Sequence, residues 1–314
     1  MTRGLRVAVV VNPAAGGDED RMVSALEAVG TAEVRAVRTT APGDARDIAY
    51  KLAGAAEPPD LIVSVGGDGT VCEVATGLFR AGEAGAGEAP PLLVAPGGTG
   101  NSVYRGLWND EPWETVAARA LRGGASSRTI DLARIEQNDH VVVLGSGSGL
   151  FAATLLAARN RPEKGRDLLM AAALAAMEDH EPYPGRVTVD GRVLHEGGVV
   201  ETIVGGFRYR GGLLNLVPSS LVDDGLLDVT VVTSAVDMHA FAQAAVEGDV
   251  HDVPGILWGR GERIGIADTS GQALLFEHDG EVMPRRTSSY DIRVVPSALT
   301  VLAAADASPW FREG

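Results

Sequence analysis

Three times in its first hundred residues this chain runs a largely apolar strand straight into a turn that only a permissive backbone can make. Leu5–Val11, apolar from Val7 onward, stops at Asn12-Pro13. Leu61–Val65 leads into Gly66-Gly67-Asp68-Gly69-Thr70, and Leu92–Ala95 into Pro96-Gly97-Gly98-Thr99-Gly100-Asn101. Such runs lack the alternation of a half-exposed strand, so both faces must be covered, as they are in a parallel sheet. Helical spacing fills the intervals. Met22, Ala25, Leu26 and Val29 precede Gly30, and Ala45, Ile48, Ala49 and Leu52 precede Gly54, with Val34–Val37 as a strand between them. Thr70 and Glu73 have the spacing of a capping box, which predicts a helix starting at Thr70. Ala81–Pro91 reads as an aperiodic loop. Strand–helix alternation of this kind predicts an open parallel α/β sheet.

Past Arg128 short alternating strands dominate, with Asp190-Gly191 and Asp279-Gly280 as hairpin turns and a helical hairpin at about 149–179. The expected fold is therefore α/β, with an open parallel domain over 1–128 and a mostly antiparallel β-sandwich or flattened barrel over 129–314. A length of 314 residues suits two domains, and 45% apolar residues supply their cores.

Composition removes several classes of function. With 27 basic against 42 acidic residues the formal net charge is −15, which opposes nucleic acid as a partner. The single cysteine, Cys72, rules out an intrachain disulfide and a cysteine zinc site, and the six histidines show no HExxH spacing. Lys51 and Lys164 are the only lysines; neither lies in a Walker A loop, and no V-A-I-K strand exists. No apolar run is long enough for a signal-peptide core or a membrane span, so the expected location is cytoplasmic, with peripheral contact at the inner membrane surface.

Both glycine loops fall at the carboxyl ends of parallel strands, where open α/β sheets bind ligands. Glycine turns backbone amides toward a phosphate and lets it come close, and a helix start behind the loop adds partial positive charge. Asp68 is the odd member, because a carboxylate beside phosphates repels them unless it holds a metal or takes a proton. Gly145-Ser146-Gly147-Ser148-Gly149 fits neither GxGxxG nor GxSxG and reads as a tight backbone passage. Asp131 reads as an arginine partner or a strand-end cap.

Together with Thr39, Gly43-Asp44-Ala45, Ile130-Asp131, Asp224-Gly225-Leu226-Leu227-Asp228 and Asp279-Gly280-Glu281, the Asn12-Pro13-x-x-Gly16 turn and the two glycine loops resemble the catalytic domain of diacylglycerol and sphingosine kinases. The resemblance implies an N-terminal nucleotide domain, a C-terminal β-sandwich, and transfer of the ATP γ-phosphoryl group to a lipid hydroxyl with magnesium. It assigns ATP contacts to Asn12, Thr39, Gly66, Gly67, Gly69, Thr70, Gly98, Thr99 and Asn101. It makes Asp68 and Glu281 the catalytic carboxylates, one organising Mg2+ or either receiving the hydroxyl proton. It also places a structural metal at Asp224 with the carbonyls of Leu221 and Leu226. The chain departs from that pattern at Cys72, at Ser102 and after Gly149, where relatives carry Asn, Asp and Asp. An NAD kinase-like enzyme shares the GGDG loop but normally carries an Asn-Glu dipeptide, which this chain lacks. A nucleotide-binding sensor without kinase activity is the alternative from another class. The expected partner is a lipid substrate; a homodimer is compatible with the same reading. Arg159, Arg161, Lys164 and Arg166 against Glu163 give a local +3 over 158–166, the segment expected to touch an anionic membrane.

Overall fold

A computed structural model describes residues 4–159, 161–163, 165–304 and 310–312, with Arg166 described by its backbone only. The chain forms two compact units, Met1–Asp131 with Ser297–Gly314, and Leu132–Pro296.

In the first unit β1 (Leu5–Val11), α1 (Glu19–Ala28), β2 (Ala32–Arg38), α2 (Asp44–Ala53), β3 (Leu61–Gly66), α3 (Asp68–Glu83) and β4 (Leu92–Pro96) alternate as the periodicity predicts. They are followed by α4 (Ser102–Trp108), α5 (Trp113–Leu121) and the start of β5 (Ser126–Ile135). The parallel strands lie in the order β2-β1-β3-β4, with Val9 opposite Val63 and Val63 opposite Leu93. Every residue of β3 is buried, as a central strand covered on both faces requires, whereas edge strand β2 alternates half-buried with exposed positions. From β1 the chain steps to β2 on one side and then to β3 on the other. The crevice for a ligand therefore opens where β1 and β3 end, at Asn12 and at Gly66.

The second unit holds the rest of β5, then β6 (His140–Val142), β7 (Gly145–Gly149), α6 (Leu150–Ala158), α7 (Gly165–Asp179), β8 (Tyr183–Val189), β9 (Arg192–Gly205), β10 (Tyr209–Arg210) and β11 (Leu214–Asn215). After these come β12 (Leu227–Thr233), α8 (Met238–Glu247), β13 (Ile256–Gly261), β14 (Arg263–Asp268), β15 (Phe276–His278), β16 (Glu281–Val282) and the first part of β17 (Ser289–Ala303). The long β9 pairs antiparallel with β8 through its first half and with β7 and β12 through its second. One core gathers Val187, Val204, Val229, Val231, Ile266, Phe276 and Ile292; a second, under α8, gathers Ile203, Val217, Val232 and Phe241. This is the antiparallel sandwich expected, and both Asp-Gly hairpins form with positive φ at each residue.

Two expectations need correction. The second domain does not run to the C-terminus, because residues 297–314 return to the first unit, where Val301 of β17 pairs in parallel with Leu92 of β4. Nor does Thr70 cap a helix. α3 starts at Asp68, the Thr70 hydroxyl accepts a hydrogen bond from the Asn12 amide at 2.9 Å, and Glu73 reaches away from its own helix.

The α2–α3 contact depends on Gly77, where an added Cβ would lie 2.2 Å from the Arg46 carbonyl oxygen and 2.9 Å from Ala49 Cβ. A Gly→Ala change in a helix ordinarily stabilises by about 0.5–1 kcal/mol. Gly77→Ala is expected instead to destabilise by about 1–3 kcal/mol, because backbone cannot yield as a flexible side chain can. Gly82→Ala, with nothing within 4 Å of its Cβ, should leave stability unchanged or raised. Urea unfolding of the two variants gives the comparison.

Candidate functional site

Three turns meet at the end of the first sheet by backbone-to-backbone approach. A Cβ on Gly17 would sit 2.6 Å from the Gly97 oxygen, one on Gly97 2.8 Å from the Gly66 nitrogen, and one on Gly98 2.3 Å from Gly67 Cα. The Gly97 amide donates to the Gly66 carbonyl at 3.0 Å, Asn12 N to Val65 O at 2.9 Å, and Thr39 N to Val11 O at 2.8 Å. Asn101, held at φ 52°, closes the last loop on itself: its side-chain oxygen accepts from Gly98 N and its amide donates to Gly98 O, both at 2.9 Å. Asn12, Thr39, Gly66, Gly67, Thr70, Gly98 and Asn101 are thus brought together. Gly69, in the first turn of α3, and Thr99, in the second glycine loop, stand exposed, and nothing lies within 4 Å of where a Gly69 Cβ would be.

The Asp68 carboxylate does not turn toward the start of its own helix. Its two oxygens accept the amides of Ser102 and Val103, at 3.0 and 3.2 Å, and so cap α4. Glu73 does the same for α2, accepting from Gly43 N and Ala45 N at 2.9 and 3.1 Å. Asp44 accepts from the Thr40 hydroxyl and from the amides of Thr40 and Ala41, bonds that hold its carboxyl below the usual range. α3 itself begins at Gly67 without any side-chain cap. A helix of 16 residues therefore ends at the two glycine loops with its positive pole uncovered.

That arrangement fits a phosphate chain. Among the described residues no three His, Cys, Asp or Glu side chains converge into a cage for a metal. The residues fit Mg2+ only as phosphate-bearing ligands carry it, held by phosphate oxygens and one protein carboxylate. Asp68 suits that role, since each of its oxygens keeps a lone pair beyond the amide it accepts.

In the second unit the Asp279-Gly280 turn is anchored from within. Asp279 accepts the amides of Val143, Leu144 and Gly145, the shortest at 2.7 Å. Buried Glu277 accepts the Gly280 amide at 3.0 Å. Glu281 follows, exposed, at the start of β16. The alternate glycines of β7 find their reason here. A Cβ on Gly145 would fall on the Arg210 guanidinium and lie 2.3 Å from the Val204 carbonyl oxygen; one on Gly147 would lie 2.1 Å from the Thr202 carbonyl oxygen and 3.2 Å from Glu201 Oε1; one on Gly149 would lie 2.2 Å from the Val200 carbonyl oxygen. Bare of side chains, β7 lies close against the β9 backbone and leaves room for the Arg210 guanidinium and the Glu201 carboxylate, while buried Glu277 pairs with Gly147 from β15. Arg210 is held by the carbonyls of Val204, Phe207 and Tyr209, and Glu201 accepts the Phe151 amide at the start of α6. Burial pushes Glu277 up to about 8, against the pull of Arg210, and raises Glu201 well above the usual carboxylate range. Sequence reading missed this cluster, although the alternating glycines were its visible signal.

The proposed structural-metal position behaves differently. Asp224 Oδ1 accepts the Leu226 amide at 3.0 Å, and Oδ2 lies 3.6 Å from the Arg260 guanidinium, which also binds Asp228 at 3.1 Å. With a fixed cation already beside both carboxylates, Asp224 and the Leu221 and Leu226 carbonyls do not fit a resident metal. In the order of strands, β7 and β9 separate this place, which adjoins β12 in the chain, from the β15–β16 hairpin of Glu281. Asp131, within β5, caps no strand end; it accepts Ser297 N at 2.7 Å in the interior of β17, where Ser297 takes a positive φ of 50°.

On the helical hairpin Arg161 pairs with Glu163 at 3.6 Å; Lys164 and the Arg166 side chain lie outside the described residues. Met170, Leu174 and Met177 are 60%, 59% and 40% exposed and share one face of α7. No described helix is long and apolar enough to cross a membrane.

Comparison with known proteins covers nearly the whole chain. Residues 6–135 match the diacylglycerol kinase catalytic domain, and residues 146–303 match the YegS C-terminal NAD kinase beta sandwich-like domain. The probable lipid kinase YegS of Salmonella paratyphi A is 28% identical over 244 residues, 76% of this chain and 77% of that one. The probable lipid kinase YegS-like of Enterobacter sp. (strain 638) matches to the same extent. A crystal structure of a diacylglycerol kinase from Bacillus anthracis str. Sterne superposes with a TM-score of 0.73 at 24% identity, covering 97% of this chain and 99% of the other. A second crystal structure from that organism superposes at 0.75 with 25% identity.

The raised Glu277 pKa has a definite sign for stability. Below about pH 4.5 the group is protonated whether the chain is folded or not. Between there and about pH 8 the folded state holds a proton that the unfolded state has released, so stability falls as pH rises through this window. Glu277→Gln is expected to match the wild type near pH 4.5 and to be the more stable protein above pH 8, by up to about 4 kcal/mol. Thermal unfolding of both proteins between pH 4.5 and 9 checks this; parallel curves would contradict it.

Proposed function

Since the chain belongs to the diacylglycerol kinase-like family of lipid kinases, with the YegS-type C-terminal domain, we propose that it transfers the γ-phosphoryl group of ATP to a lipid hydroxyl of the diacylglycerol or sphingoid class. The observation that carries the reading is the uncapped start of α3 between two interlocked glycine loops at the switch point of a parallel sheet.

Phosphoryl transfer asks a protein mainly for positioning and charge compensation. Asn12, Thr39, Gly66, Gly67, Gly69, Thr70, Gly98, Thr99 and Asn101 surround the nucleotide, and the α3 dipole faces its phosphates. Asp68 would hold Mg2+, which when bound would offset the charge on the transferring group. Glu281 accepts the proton of the lipid hydroxyl as that oxygen bonds to the γ-phosphorus and the bond to the β-bridging oxygen breaks, leaving ADP. Residues 146–303 are similar to an NAD kinase beta sandwich-like domain, so NAD belongs among the acceptors tested. The lipid is reached at an anionic membrane through the helical hairpin, which carries Arg159 and Arg161 just after α6 and the exposed Met170, Leu174 and Met177 on α7.

Purified protein with ATP and Mg2+ should phosphorylate diacylglycerol or a sphingoid base in mixed vesicles and leave NAD unphosphorylated. Gly69→Val adds a side chain on the first turn of α3, where nothing lies within 4 Å of its Cβ. It should weaken ATP binding at least about tenfold while the melting temperature holds, and unchanged affinity would refute the nucleotide placement. Glu281→Gln should cost about 10²–10⁴ in kcat, the usual worth of a general base, with little change in the KM for ATP. Asp68→Asn should lower kcat and raise the Mg2+ concentration needed. For the membrane contact, co-sedimentation with anionic vesicles should fall at high salt and on Arg159→Glu with Arg161→Glu. It should fall independently of salt on Met170→Gln with Leu174→Gln. Equal sedimentation of all three proteins would make the hairpin an ordinary solvated face.

A further inference from the structure

The hairpin that carries Glu281 is short. β15 and β16 share two residue pairs, and Glu281 itself is exposed, so nothing in that hairpin's own strand pairing fixes where its carboxylate stands. Order has to come from the side of the turn that faces the protein. Two carboxylates supply it. Asp279 takes three amides of the Val143–Gly145 segment, and Glu277 takes the amide of Gly280, the residue immediately before Glu281. Gly280 sits at φ 83°, so its amide direction follows the turn and moves if the turn relaxes.

We propose that Glu277 is a positioning residue for phosphoryl transfer: its buried carboxylate holds the Gly280 amide and so fixes the turn that presents Glu281 to the acceptor hydroxyl. The inference rests on the function proposed above. It explains a buried acid that packing alone would not select, since an apolar residue would fill the same place beneath α6 at no desolvation cost.

The groups facing Glu277 are Glu201 of β9, the Arg210 guanidinium, Asp279 in the turn and the Gly280 amide, while His278 and Glu281 flank it along the hairpin. Arg210 favours its carboxylate form, and burial opposes it up to about pH 8. The ionised form is the stronger acceptor for the Gly280 amide, so the hold tightens as pH rises through that value. Burial lowers His278 from the usual imidazole range, opposed by the nearby charge of Asp279.

The experiment pairs kinetics with NMR of protein labelled with 15N-glycine. In the wild type the Gly280 amide signal should titrate near pH 8 and kcat should rise over the same interval, with the KM for ATP flat. Glu277→Gln keeps an acceptor without the charge: both the Gly280 titration and the kcat step should vanish, while activity at pH 6.5 stays within about threefold. Glu277→Ala should free the Gly280 amide to exchange and lower kcat about 10- to 100-fold above pH 8, the worth of one hydrogen bond to a charged group, and by a smaller factor below it. A Gly280 signal that does not titrate, or Glu277→Ala protein with wild-type kcat and native melting, overturns the proposal. If the wild type phosphorylates no acceptor, or Glu281→Gln is fully active, the functional reading fails first. Loss in Glu281→Gln with no effect of either Glu277 variant refutes this inference alone.

Discussion

Backbone meets backbone at the mouth of the first sheet, and only glycine permits it. Gly17 lies against Gly97, Gly97 against Gly66 and Gly98 against Gly67, each at a distance that a single methyl group would violate. This contact sets where β1, β3 and β4 release the chain, and hence where α3 and α4 begin. A side chain at any of these positions would prise the loops apart and swing two helix starts away from the crevice. Hydrogen bonds then lock what sterics allow, with Gly97 N on Gly66 O and Asn12 on Thr70.

The second ordering device is the remote carboxylate. The starts of α2, α4 and α6 have no side-chain cap of their own, and each is capped from far away in sequence. Glu73 serves α2, Asp68 serves α4 across 34 positions, and Glu201 serves α6 across 50. A local cap stabilises one helix; a distant one also fixes a helix relative to another element, because the bond closes only when both are in place. Among the described residues, no side chain serves α3 in this way.

These devices differ in how far they could be read from the sequence. Strand ends followed by glycine loops are local, and so are the helical spacings of α1 and α2 and the Asp-Gly hairpins; all were legible. Long-range capping leaves no spacing to read. Thr70 and Glu73 matched a capping box because the rule measures separation along the chain. In the fold Thr70 answers Asn12, and Glu73 answers residues 43 and 45. The return of β17 to β4 was equally hidden, since its pairing partner precedes it by some two hundred residues. Gly145, Gly147 and Gly149 announced a strand bare on one face. What the bareness accommodates, Glu201 and Arg210, comes from strands whose sequences give no hint of burial for a charge.

An acidic protein proposed to take a polyanionic nucleotide also shows why net charge is a poor guide at the scale of a site. A formal −15 spread over a surface in salt water is screened within about 8–10 Å, and many of its carboxylates are already paired with arginines. What a phosphate meets is set by the nearest dipoles and charges. The acid closest to the α3 start, Asp68, has its oxygens turned onto two amides of α4, where part of its charge is compensated before any ligand arrives. Among the described residues, the amides at the start of α3 face the opening with no side-chain cap competing for them. Glycine supplies the approach, the helix supplies the sign, and the one carboxylate nearby is oriented so that it can hold a cation instead of repelling the anion that brings it.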